Sequence, residues 1–200
     1  MQGGPAVGIA AMRQGLAALQ VTGARIERPM FLALLAEGYG VATDPAAGLA
    51  VLAEALAMVE ETGERWWEAE LHRLRGALLL QAGSPPPPAA SQTHQATVPV
   101  AHQPEACFQR ALAIARQQQA KSLELRAAMS LARLWQQQGK WAKACELLAP
   151  IYGWFTEGLD TVDLRDARAL LEDLAWEPSE APREPRLPLY ACNGTHTYPT

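Results

Sequence analysis

Thr22-Gly23-Ala24-Arg25 returns as Thr62-Gly63-Glu64-Arg65, about 40 residues further along the chain. The match extends both ways. Gly8, Met12, Gly15 and Leu16 align with Gly48, Leu52, Ala55 and Leu56, and Phe31, Leu34, Ala36 and Tyr39 align with Leu71, Leu74, Gly76 and Leu79. A third copy follows an insertion. Phe108, Ala111 and Leu112 echo Leu52, Ala55 and Leu56, and Ala127, Ala132, Trp135 and Gly139 echo Leu71, Gly76, Leu79 and Gly83. Self-similarity at a fixed period of this size is the signature of stacked structural repeats. One such unit cannot bury its apolar face alone, so copies stack and present an extended surface.

Each copy divides into two helices. Pro5 to about Gln20 places Val7, Ile9, Met12, Leu16 and Leu19 near helical spacing, and Gly23 stands where a glycine often ends a helix. Pro29 opens a second helix reaching about Val41. Asp44-Pro45 reads as an N-cap followed by a first-turn proline, starting a third helix to about Glu61. The fourth spans about Trp66 to Gln81, the fifth Pro104 to Gln118, the sixth Lys121 to Gln138, the seventh Trp141 to Phe155 and the eighth Val162 to Ala175. No window alternates with period two, so the class is all-α. Residues 82–103 interrupt the rhythm with Ser84, Pro85 to Pro88 and Pro99, an insertion of about 16 residues. Residues 177–200, punctuated by Pro178, Pro182, Pro185, Pro188 and Pro199, read as a disordered tail. The repeat domain is thus expected over residues 5–175.

Small residues at matched positions predict close helix approach. Gly8, Gly48 and Ala144 share one position, and Ala36, Gly76 and Ala132 share another, with Leu52, Phe108 and Leu148 filling the space between. Trp66-Trp67 and Trp154-Phe155 have apolar period-matched neighbours, which predicts that they pack between repeats.

Ala128, Leu131, Ala132, Trp135, Gly139, Ala144 and Leu148 form a pattern that resembles the tetratricopeptide repeat, as do Leu32, Leu35, Ala36, Tyr39, Gly48, Leu52 and Ala55. The unit is nearer 40 than 34 residues, Arg75 stands at a usual leucine position and Pro104 at a usual alanine. A HEAT-like array is the structural alternative. The resemblance implies a helical-hairpin solenoid of about eight helices. A narrower resemblance covers residues 25–174 and rests on Glu64 to Leu74, Ala106 to Leu112, Ser130 to Gln136 and Leu147 to Gly158. These runs resemble the carboxy-terminal repeats of bacterial proteins in which a class III nucleotide cyclase domain and an AAA-type ATPase come first. That likeness implies a regulatory or assembly region and no catalytic residue, because the catalytic domains have no counterpart in this sequence.

Other chemistry finds little support. The formal net charge is −4, from 17 basic and 21 acidic residues, with no basic stripe for a nucleic-acid backbone. Residues 1–16 lack the pattern of a secretion signal, and no apolar run is long enough for a membrane span. Cys107, Cys145 and Cys192 form no disulfide framework; the first two read as buried thiols in a reducing, cytoplasmic setting. His94, His102 and Cys107 match no metal-site spacing, His72 reads as solvated or groove-facing, and no cofactor is expected. The pairs Glu60/Glu61, Glu68/Glu70 and Glu172/Asp173 read as solvated faces, because near neighbours on a helix diverge in direction. No phosphate loop or nucleophile elbow occurs, so no enzyme is expected.

The tetratricopeptide likeness implies a concave groove lined by Glu70, Arg73, Arg126, Met129, Arg133 and Gln136. The expected partner is a protein or peptide, including other domains of the same polypeptide, with neither nucleic acid nor membrane involved. Met1 to Gly4 precede the first repeat helix without a capping structure, which points to further repeats upstream. A free-standing peptide-binding adaptor is the alternative.

Overall fold

The computed structural model describes residues 4–23, 27–83 and 103–175. Eight helices and no strand occur among them: α1 (Pro5–Thr22), α2 (Arg28–Val41), α3 (Pro45–Thr62), α4 (Glu68–Gly83), α5 (Gln103–Gln117), α6 (Lys121–Gln137), α7 (Trp141–Tyr152) and α8 (Val162–Leu174). The all-α expectation holds, with helix ends within three residues of those read in the sequence. The inserted segment and the tail lie outside the described residues, apart from the ends of α4 and α5. None of the described helices is long and apolar enough to cross a membrane.

The helix ends follow local chemistry. Gly23 and Gly63 take left-handed conformations with φ of 74° and 73°, and their N–H groups donate to the Gln20 and Val59 carbonyls. The repeated Thr-Gly phrase is therefore a repeated helix stop. The Asp44 carboxylate accepts from the Ala47 N–H at 3.1 Å, while Pro45 occupies the first turn of α3. Pro150 lies inside α7, which ends two residues later at Tyr152.

The chain forms two compact units, and the boundary falls within α6 between Ala127 and Ala128. In the first unit, Leu16 of α1, Leu32, Leu35, Ala36 and Tyr39 of α2, Leu52, Ala55 and Val59 of α3, and Leu71, Leu74 and Leu78 of α4 make one core. Close approach depends on two glycines. A Cβ at Gly48 would lie 2.8 Å from the Leu78 side chain and 3.1 Å from the Ala36 carbonyl, and one at Gly76 would lie 2.6 Å from the Phe108 ring. Gly8, matched to Gly48 in the sequence, makes no such approach, since nothing stands within 4 Å of its Cβ position. The expectation of close packing fails there because that face of α1 is exposed.

In the second unit, Ala128, Leu131, Ala132 and Trp135 of α6 are buried, with Ala144, Leu148 and Ile151 of α7 and Leu164, Ala167, Leu170 and Leu174 of α8. The Lys143 ammonium lies 3.9 Å from the centre of the Trp135 ring, a cation–π contact.

Candidate functional site

The turn Arg65-Trp66-Trp67 leads into α4, and its first residues are Glu68, Ala69 and Glu70. Both glutamates are buried, at 4% and 3% exposure, so the solvated reading of this pair is overturned. Residues two apart on a helix point in nearly opposite directions, and each carboxylate buried this way needs its own counter-charge. Glu68 receives Arg65 at 3.1 and 3.2 Å, with the His72 Nε2 at 4.0 Å. Glu70 accepts two bonds from Arg73, at 2.8 and 2.7 Å, and Arg126 of α6 approaches it at 3.1 Å.

A third buried acid repeats the arrangement. Glu124, 4% exposed, accepts from Arg116 at 2.9 Å and from Lys121 at 2.8 Å. Burial alone would raise its carboxyl, but the hydrogen bonds and charges of Lys121 and Arg116 hold it below the usual value. All three acids stand in the first turn of a helix, where the backbone dipole favours negative charge. The exposed acids Glu60, Glu61, Glu172 and Asp173 are solvated, as expected.

The structure therefore brings three of the six expected groove residues together: Glu70, Arg73 and Arg126. Glu70 is the buried centre, and Arg126 is the most exposed of the three at 27%. Arg133 and Gln136 belong to the second unit, where they line a surface hollow of about 370 Å³ with Gln137, Asp166, Leu170 and Asp173. Met129 is 4% exposed and belongs to the packed interior, so it offers no surface to a partner. The sequence did hold a signal for the buried acids. Arg65/Glu68, Glu70/Arg73 and Lys121/Glu124 are all spaced three apart, where helical neighbours meet.

His72, read as solvated or groove-facing, is half-buried. Desolvation pushes it below its usual value, against Glu68, which raises it, while Arg110 and Arg75 lower it further and Glu60 raises it. Cys107 and Cys145 are also only partly buried, which corrects their expected place in the core. Burial nonetheless raises the Cys107 thiol, making it a poor nucleophile at neutral pH. His94, His102 and Cys192 lie outside the described residues. Among the described residues no three His, Cys, Asp or Glu side chains are placed to share a metal ion.

The aromatic pairs depart from expectation. Trp67 packs on the first unit's core with its ring centre 5.2 Å from that of Trp66, yet Trp66 is 46% exposed. Trp154 is 58% exposed and meets Phe155 edge to face at 5.1 Å. Both lie in turns beside helix ends, where a large side chain can point outward without disturbing a packed face.

No protein-family description matches the chain, and no solved structure matches it. An uncharacterized protein of Rhizobium meliloti (strain 1021) is 39% identical over 80 residues, which is 40% of this chain and 8% of that relative. The match thus covers only a small part of that relative's length. Among the described residues, fold and site define an all-helical chain whose three buried carboxylates are each met by arginine or lysine.

Proposed function

We propose that this chain is a non-catalytic interaction module built from tetratricopeptide-like helical pairs, serving a larger signalling polypeptide of the cyclase/ATPase type. The repeat reading is supported by the burial of its defining positions. Leu32, Leu35, Ala36, Tyr39, Leu52 and Ala55 are all buried, as are Ala128, Leu131, Ala132, Trp135, Ala144 and Leu148. Arg75, at the departing position of the middle copy, is exposed, and Pro104 is buried in the slot that Gly48 and Ala144 fill elsewhere. The setting in a larger protein is supported by the length of the Rhizobium relative.

The observation behind the binding role is the Glu70–Arg73–Arg126 cluster. A buried carboxylate holds two guanidiniums in fixed orientations, and Arg126 reaches the surface. Pre-oriented arginine forks suit carboxylates, and less freedom is lost when a ligand binds them. The partner is an acidic peptide segment. Calorimetric titration with an Asp/Glu-rich peptide tests it, with a Lys-rich peptide of equal length as control. The acidic peptide alone should bind, and Arg126→Gln should weaken it roughly tenfold, the worth of one charge-assisted hydrogen bond. Arg126→Gln leaves Glu70 bonded to Arg73, so helicity should persist. Unchanged affinity in a folded Arg126→Gln protein would remove the cluster from the binding surface.

A further inference from the structure

Three residues that neither the repeat nor the Glu70 cluster explains meet on one face of the α4–α5 pair. Arg75 stands where the repeat uses leucine, and His72 and Cys107 are both half-buried. Arg110 joins them from α5. The two helices run antiparallel, because Gly76 meets Phe108 while Ala69 packs with Ile114 and Ala115. In that register His72 stands opposite the turn of Arg110, and Arg75 opposite the turn of Cys107. The two residues on each helix are three apart, roughly 4.5 Å along the axis, so they share a face.

The electrostatics agree with this register. The charges of Arg110 and Arg75 both reach the His72 imidazole, and that of Arg75 reaches the Cys107 thiol. Glu68 lies 4.0 Å from the imidazole, but it is bonded to Arg65, as is the more distant Glu60. Among the described residues no carboxylate is bonded to Arg75 or Arg110, and both side chains are exposed. Two guanidiniums thus stand on a pair of helices locked by the glycine–phenylalanine contact, their like charge uncompensated. Arg73, two residues before Arg75 on α4, points in nearly the opposite direction and bonds Glu70. The two surfaces are therefore separate.

We propose that Arg75 and Arg110, with the half-buried His72 beside them, form a binding site for a phosphate monoester. A guanidinium fork presents two parallel donors that match a pair of phosphate oxygens, and forks from two helices engage a tetrahedral anion from two sides. A carboxylate has one pair of oxygens and satisfies one fork. Once protonated, His72 supplies a third cationic group, so the dianion and the imidazolium stabilise each other.

Inorganic phosphate is the probe, titrated into the full chain at constant ionic strength with chloride as the control. Nuclear magnetic resonance follows the His72 Cε1 proton and the Nε–H groups of Arg75 and Arg110. Phosphate should shift all three saturably and raise the titration midpoint of His72 by about one pH unit, and chloride should do neither. Arg75→Gln and Arg110→Gln should each weaken phosphate about tenfold, the worth of one charge-assisted hydrogen bond. Arg168→Gln removes an exposed charge elsewhere and should leave the affinity unchanged. Circular dichroism checks that the variants fold. A phosphoserine peptide, compared with its unphosphorylated form, separates the sources of the phosphate. Binding tighter than that of inorganic phosphate puts the group on a protein partner, and weaker binding puts it on a small molecule. Shifts that never saturate would overturn the proposal. So would equal affinity in the native chain and a folded variant carrying both Arg75→Gln and Arg110→Gln.

Discussion

The Glu70 carboxylate, at 3% exposure, meets the guanidiniums of Arg73, largely buried beside it, and of Arg126, which reaches the surface. The i,i+3 half of that arrangement is visible in the sequence, whereas Arg126 lies 56 residues away and nothing local announces it. For this reason Glu68 and Glu70 read as solvated when taken alone. The buried ionisable groups also fix how stability depends on pH. His72 is depressed by burial, so the unfolded chain takes up that proton first as pH falls below the ordinary value of 6.5. Stability from this group is present above 6.5 and is lost as pH falls toward the native value. Glu124 is depressed as well, so its contribution is present above 4.5 and is lost as pH falls through its native value. Both steps have the same sign. The melting temperature should fall between pH 7.5 and 5.5, and His72→Gln should reduce that fall. Thermal melts of both proteins at the two pH values check this, and an unchanged fall would assign the pH dependence to other groups.

The helices were legible because their punctuation is chemical: Asp44-Pro45 starts one, and Gly23, Gly63 and Gly139 end others with φ near 74°. Helix pairing is less legible, because a glycine can mark either a close approach or an open face. Gly48 and Gly8 hold the same place in the repeat, yet a Cβ at Gly48 would meet Leu78 at 2.8 Å and Gly8 faces nothing, while Gly76 at the other small position faces Phe108. Gly76→Ala separates two opposing effects. In an open helix alanine would stabilise by about 1 kcal/mol. Against the Phe108 ring, itself 1% exposed, it should instead destabilise by about 1–3 kcal/mol. Urea unfolding measures the sign, and adding Phe108→Leu should recover part of the loss through the coupling of the two sites. A stabilised Gly76→Ala protein would mean that α4 and α5 pack less closely.

At the scale of the molecule, the repeat period predicts stacked helix pairs; Ala36, Leu52, Ala55 and Leu71 in one compact unit and Ala132, Ala144 and Leu148 in the other are buried, whereas the matched Gly8, Gly15 and Leu34 are exposed. The placement of the exposed tryptophans was beyond the sequence, because apolar composition does not distinguish a packed indole from a presented one. Trp66 and Trp154 are both presented, beside a buried charge cluster in one unit and an acidic connection in the other. An 80-residue stretch of a far longer relative carries similar sequence. The most direct test is the mass of the native polypeptide, read with an antibody against this chain in the cells that make it. A module within a larger signalling protein predicts a band well above 21.6 kDa. A single band at 21.6 kDa would contradict that setting and leave a free-standing peptide-binding adaptor.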